Sequence, residues 1–147
     1  LKLARSTASA LGAELAIVDK RRARPNVSEV MNLIGDVEGK NVLLRDDMVD
    51  TAGSICQAAH YCKERGALDI YAACTHGVLS GNALEKIENS PIKKFVICDS
   101  IDQSHKKLSD KFEVLTCSEL IGEAIKRIFE EQSVSSLFEE SAPVKEM

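Results

Sequence analysis

Apolar and polar positions along these 147 residues follow two periods, one helical and one extended. Leu3, Ala4, Ala8 and Leu11 recur at helical spacing and Gly12 stops the pattern, which predicts an opening helix. A short apolar strand is predicted at 14–18, followed by a basic, proline-containing loop at 19–26 (DKRRARPN). The run 30–34 reads as a strand and 35–40 as a hairpin turn. The next strand, 42–45, leads into an acidic turn and a helix at 55–65, closed by Gly66 as a left-handed cap. A strand at 69–74 precedes the loop 75–81 (THGVLSG) and a short helix at 83–88. Pro91 breaks the chain before a strand at 95–98, and 99–110 is a polar connection without a strong pattern. A last strand at 112–116 and an amphipathic helix at 118–130 follow, and the tail from Ser133 reads as frayed apart from Leu137 and Phe138.

Strands alternating with helices of about ten residues predict an α/β fold with a mostly parallel sheet flanked by helices. Ligands in such sheets sit at the carboxyl ends of the strands, where Asp19, Asp46, Thr75 and Asp99 are expected to converge. The length suits one ordinary domain, and 44% apolar residues can build a core that is aliphatic, since aromatics make up 4% and Trp is absent. A formal charge of -4 argues against a general nucleic-acid binder. Cys56, Cys62, Cys74, Cys98 and Cys117 are odd in number and include no C-x-x-C pair. They read as packing thiols of a reducing, cytoplasmic compartment rather than disulfides or a zinc site. No apolar run approaches a membrane span of ~20 residues, and no signal peptide or internal repeat is visible. The chain starts at Leu1 in what reads as mid-helix, so it is expected to be a fragment of a longer protein.

The chemistry concentrates in Val42 to Ser54, VLLRDDMVDTAGS. A bare D-D-x-x-D is readily a capped strand-to-helix loop. The attached Thr-Ala-Gly-Ser turn shifts the reading to a sugar-phosphate site. Asp46 and Asp47 can accept hydrogen bonds from two neighbouring ribose hydroxyls. Asp50, Thr51, Ala52, Gly53 and Ser54 form a small-residue turn opening a helix, where free N–H groups and the positive dipole end suit a phosphate. The loop Lys20-Arg21-Arg22-Ala23-Arg24 follows a strand expected to end at the same edge. Its cations can neutralise charge developing on a transferred phosphoryl or pyrophosphoryl group. His76 is read as structural rather than catalytic, and no protein metal ligand is assigned.

Together DKRRARPNVSEVMN, RDDMVDTAGS, CTHGVLSG with ALEKIENS, and EAIKRIFEEQSVSSLF resemble the ribose-phosphate pyrophosphokinases, or phosphoribosyl pyrophosphate synthetases. The resemblance spans about Arg5 to Phe138. It implies two phosphoribosyltransferase-like domains per subunit, homo-oligomers that are typically hexamers, and transfer of the pyrophosphoryl group of ATP to ribose 5-phosphate with Mg²⁺, for nucleotide biosynthesis. The metal's ligands would come mostly from substrate phosphates, water and a segment outside this chain. Lys20 and Arg22 would be the flexible-loop cations that stabilise the transition state. Asp46 and Asp47 would hold the ribose, and residues 50–54 its 5-phosphate. Ser133 and Ser135 resemble a segment that helps bind regulatory phosphate or ADP. Residues 1–130 would be a C-terminal domain incomplete at its start, with 131–147 a tail packing on the absent N-terminal domain. The fragment is expected to be inactive alone. Arg45, Ser54 and Asn82 depart from the family pattern, Arg45 because a cation there could pair with Asp46 or Asp47. Two other readings are a phosphoribosyltransferase, which leaves the basic loop and the SVSSLF tail unexplained, and a non-enzymatic regulatory relative.

Overall fold

The computed structural model describes the backbone of residues 2–21 and 30–138, with the side chains of 3–18 and 31–138. Helix α1 (Lys2–Leu11) ends at Gly12, whose φ of 61° stops it where the sequence indicates. Strands β1 (Ile17–Arg21) and β2 (Val30–Ile34) pair antiparallel as a separate two-stranded sheet. The first strand therefore begins later than its apolar pattern suggests, and Asp19, Lys20 and Arg21 continue it instead of opening a loop. Lys20 lies opposite Met31 in that pairing.

Strands β3 (Val42–Val49), β4 (Ile70–Gly77), β5 (Ile92–Cys98) and β6 (Phe112–Leu115) form a parallel sheet in the order β3-β4-β5-β6. Helices α2 (Gly53–Glu64) and α3 (Ala83–Glu88) make the first two crossovers, and residues 99–111 make the third without a helix. The expected hairpin at 35–40 is not one, because β3 pairs with β4 and not with β2. Those residues instead dock on the end of α2, where Gly39 N–H donates to Gly66 O at 2.9 Å and Leu68 N–H to Lys40 O at 2.9 Å. Gly66 takes φ 87° beside Glu38, as its cap role requires.

Period-two alternation on the central strands sends Ile70, Ala72 and Cys74 of β4, with Phe95 and Ile97 of β5, to one buried face. Cys62, Ala59 and Ile55 of α2 and Ile87 of α3 complete that core, and Phe95 packs on Phe112 with ring centroids 5.6 Å apart. Fully burying each large apolar side chain is worth about 1.5–3 kcal/mol. Cys56, Cys62 and Cys74 are buried free thiols, as their apolar settings imply. A cavity of about 640 Å³ separates the two sheets; Val18, Leu33, Leu44 and Cys62 line it, and Asp46 and Ser54 also border it.

Helix α4 (Ser118–Phe129) is amphipathic as expected, yet none of its residues is buried. Leu120, Ile121, Ile125 and Ile128 face outward, the last 68% exposed. Of the tail, residues up to 138 are described and the remainder lies outside the described residues. Residues Ser135–Phe138 form a 3₁₀ turn, and Arg127 ties it to α4 by donating to Ser133 O at 3.1 Å and Ser136 Oγ at 2.6 Å. Among the described residues, no helix is long and apolar enough to cross a membrane.

Candidate functional site

The sequence places the acids in a turn after a four-residue strand, but β3 runs on through them to Val49. Asp46 lies beside Cys74 and Met48 beside His76, so the acids sit at the carboxyl end of a paired strand. Alternation alone would send neighbouring side chains to opposite faces. Both carboxylates instead curl along the chain: Asp46 Oδ1 accepts the N–H of Asp47 at 3.0 Å, and Asp47 Oδ1 that of Met48 at 2.9 Å. Partial burial pushes the Asp46 carboxyl above the usual carboxylate range, and the adjoining Asp47 carboxylate raises it further. The two acids behave as a close pair of acceptors.

Beyond Asp50 the chain turns sharply. Ala52 is buried at φ 59°, ψ 7°, a left-handed conformation that sets the direction in which α2 starts. No side chain caps this helix. Its first bond of that turn runs from Cys56 N–H to Ala52 O at 3.1 Å, so the N–H groups of Gly53, Ser54 and Ile55 precede the helical ladder. A Cβ on Gly53 would approach only Thr51 Oγ1, at 4.0 Å. The space in front of the helix start is open, and with the dipole it suits an anion.

The loop 77–81 flanks this turn. Leu79 N–H donates to Val49 O at 3.1 Å, and Ser80 N–H donates to Asp50 O at 3.0 Å. The Ser80 hydroxyl also donates to the Asp50 carboxylate, and Lys86 Nζ of α3 donates to Thr51 O at 3.2 Å. The Ser-Gly pair at 80–81 signals a turn in the sequence, while its reach to Asp50 carries no sequence signal.

His76 stands at a strand end as expected, as the penultimate residue of β4, which runs on into the stretch read as a loop. Ser100 Oγ donates to Thr75 O at 3.0 Å, so its oxygen accepts from His76 Nδ1 at 2.8 Å. Asp99 bridges to His76, which brings three of the four expected strand-end residues to one edge. The fourth, Asp19, belongs to the separate antiparallel pair. Arg45 turns to α1, where its guanidinium donates to Thr7 Oγ1, and among the described residues no ion pair joins it to Asp46 or Asp47.

Of the two candidate cations, Lys20 is placed in β1 by its backbone, and Arg22 lies outside the described residues. Ser133 and Ser135 share a hydrogen bond between their hydroxyls at the end of α4. Among the described residues, no group of three or more His, Cys, Asp or Glu could hold a metal.

Residues 8–139 match the family described as the phosphoribosyl synthetase-associated domain. The chain is 58% identical to the ribose-phosphate pyrophosphokinase of Chlorobaculum tepidum over 95% of its own length and 43% of that protein. It is 56% identical to the enzyme of that name from Corynebacterium ammoniagenes, over 92% of this chain and 43% of that one. The phosphoribosylpyrophosphate synthetase structure from Mycobacterium smegmatis superposes with a TM-score of 0.80 at 31% identity, covering 88% of this chain and 42% of that one. This chain thus spans less than half the length of the relatives it matches. Family match, sequence identity and fold agree, and the chain belongs to the phosphoribosyl pyrophosphate synthetase family.

Proposed function

We propose that this chain carries the ribose 5-phosphate site and the basic catalytic loop of a ribose-phosphate diphosphokinase. The observation that carries the reading is the junction of β3 and α2. An adjacent pair of carboxylates there precedes a left-handed turn into a helix start that no side chain caps. Asp46 and Asp47 accept the sugar hydroxyls, and the N–H groups of residues 53–55 with the hydroxyls of Thr51 and Ser54 receive the 5-phosphate. This grip leaves the 1-hydroxyl of the sugar free to react.

In the reaction that oxygen attacks the β-phosphorus of ATP. The bond from that phosphorus to the α,β-bridging oxygen breaks, AMP leaves with the electron pair, and the hydroxyl proton is released. The product is 5-phosphoribosyl 1-diphosphate, a precursor for nucleotide biosynthesis. Lys20 and Arg22 offset the charge that builds on the transferred group, a contribution made in the transition state more than in the ground state. Mg²⁺ carried on the phosphates would supply further charge neutralisation, held mostly by those phosphates, by water and by residues outside this chain.

The remaining machinery, including the ATP site, is assigned to the part of the relatives' length that this chain does not match. The outward apolar face of α4 and the exposed Phe138 support that reading, because such a surface suits a permanent protein interface. The tail is assigned to the same contact, within a homo-oligomer in the cytoplasm. Ser133 and Ser135, beside Arg127, are assigned to regulatory phosphate or ADP.

Calorimetry with ribose 5-phosphate tests the site: saturable binding is expected, and lack of it overturns the reading. The chain alone is expected to give no turnover with ATP, Mg²⁺ and ribose 5-phosphate. Exchanged into the corresponding segment of the Chlorobaculum tepidum enzyme, it is expected to support turnover. There Lys20→Ala or Arg22→Ala would slow the reaction by orders of magnitude with little change in ribose 5-phosphate affinity.

A further inference from the structure

We infer that Ser80, thirty residues beyond Asp50, is a positioning residue that holds the phosphate loop in its anion-binding shape by acting through Asp50. The inference rests on the assignment of residues 50–54 to the sugar phosphate. Ser80 grips Asp50 twice, with its N–H on the backbone carbonyl at 3.0 Å and its hydroxyl on the carboxylate. One residue thereby fixes both the peptide plane and the side-chain direction of Asp50, directly before the turn at Thr51 and Ala52.

The clamp is itself held. Leu79 and Gly81 on either side of Ser80 are left-handed, with φ 50° and 58°. A non-glycine residue in that region costs on the order of 1 kcal/mol or more and persists only where its surroundings enforce it. Leu79 is 3% exposed in the core. Behind it, Gln103 Nε2 donates to Gly77 O at 2.6 Å, and Lys106 Nζ donates to Val78 O. The polar stretch 99–110 thus braces the loop that braces Asp50, and Lys86 secures Thr51 from the other side.

Electrostatics explains why Asp50 needs holding. A carboxylate two residues before the helix N-cap is a like charge to an incoming phosphate, and it is also a ready acceptor for the uncapped N–H groups of α2. Engaged by Ser80, it is kept from both. Released, it would turn to the helix start and compete with the substrate for those donors.

The test titrates ribose 5-phosphate into the complete 147-residue chain and its variants. Ser80→Val should weaken binding about tenfold, while the isosteric Ser80→Thr, which keeps the hydroxyl, should stay within about threefold of the unaltered chain. Should Ser80→Val fold poorly, Ser80→Ala serves in its place with the same expectation. The double variant Asp50→Ala with Ser80→Ala should bind no more weakly than Asp50→Ala alone, because Ser80 acts only through Asp50. Rescue by Thr and this non-additivity are outcomes that a general loss of stability would not produce. If the unaltered chain binds and the loss of the Ser80 hydroxyl leaves affinity intact, or if the two losses multiply, the inference fails alone. Absence of binding by the unaltered chain overturns it together with the assignment beneath it.

Discussion

Oδ1 of Asp99 accepts both the backbone N–H of Cys117 at 2.8 Å and its thiol at 3.0 Å, joining the carboxyl end of β5 to the first turn of α4. The thiol and N–H donors of Cys117 hold the Asp99 carboxyl down to about 2, against its ordinary 3.8. A carboxyl depressed on folding adds stability that is complete above its unfolded value and disappears as the pH falls through the folded one. Asp99→Ala is therefore expected to lower the melting temperature at pH 7. The difference from the unaltered chain should shrink below pH 4 and vanish near pH 2. Asp99 is exposed, so the effect is small, and thermal unfolding across that range measures it.

The same contact shapes thiol reactivity. The bond to Asp99 raises the Cys117 thiol, while burial raises Cys56 and Cys62 and pushes Cys74 up to about 11. Alkylation proceeds through the thiolate, so raised and buried thiols react slowly. With iodoacetamide at neutral pH, half-buried Cys98 should label first and Cys117 later. Cys56, Cys62 and Cys74 should label only on unfolding. Asp99→Ala should speed Cys117 several-fold, which peptide mass spectrometry would register; an unchanged rate would remove Asp99 as the cause.

The sequence pattern located the elements better than it located their ends, and the discrepancies share a cause. Strand β3 extends four residues past its apolar run because Asp46 through Val49 pair with β4, a non-local partner that no short window can see. Thr75 to Gly77 join β4 in the same way. Residues 35–40 look like a hairpin because two strand-like runs flank a glycine-containing turn, yet the second run is captured by β4. The candidate motif was visible since its residues are contiguous along the chain. Its supports Ser80 and Lys86 were not, because they reach it from 30 and 35 residues away, and Gln103 acts at one remove, on Gly77 26 residues before it. The position of Arg45 against Thr7 depended likewise on where α1 packs.

Asp46 carries a cost to the fold that its proposed function explains. Its carboxyl is raised by burial and by the Asp47 charge, so in the folded chain the ionised form is disfavoured. Such a group weakens the fold above its folded value, and the penalty fades as the pH drops below its unfolded one. Asp46→Asn should raise the melting temperature at pH 7 by about 1–3 °C, a discounted figure for a largely exposed group. The gain should be absent below pH 4. Ribose 5-phosphate affinity should meanwhile fall roughly 10- to 100-fold, the worth of a hydrogen bond to a charged acceptor. A variant both less stable and equally competent would contradict both assignments.

Gly53 separates the demands of the fold from those of the ligand. It occupies the first position of α2 rather than the left-handed turn, which Ala52 takes. An added Cβ would find only Thr51 Oγ1 at 4.0 Å, so the folded chain accommodates a methyl group there without displacement. Gly→Ala at a compatible position restricts the unfolded chain and adds about 0.4–1 kcal/mol of stability. The same methyl would stand at the open helix start where, on the proposed assignment, the phosphate oxygens would come within hydrogen-bond distance of backbone N–H groups. Gly53→Ala is accordingly expected to melt at or above the temperature of the unaltered chain and to bind ribose 5-phosphate at least tenfold more weakly. Melting and calorimetric titration on one preparation read both quantities. Undiminished affinity would mean that the phosphate is held elsewhere, whatever the acids of β3 do with the sugar.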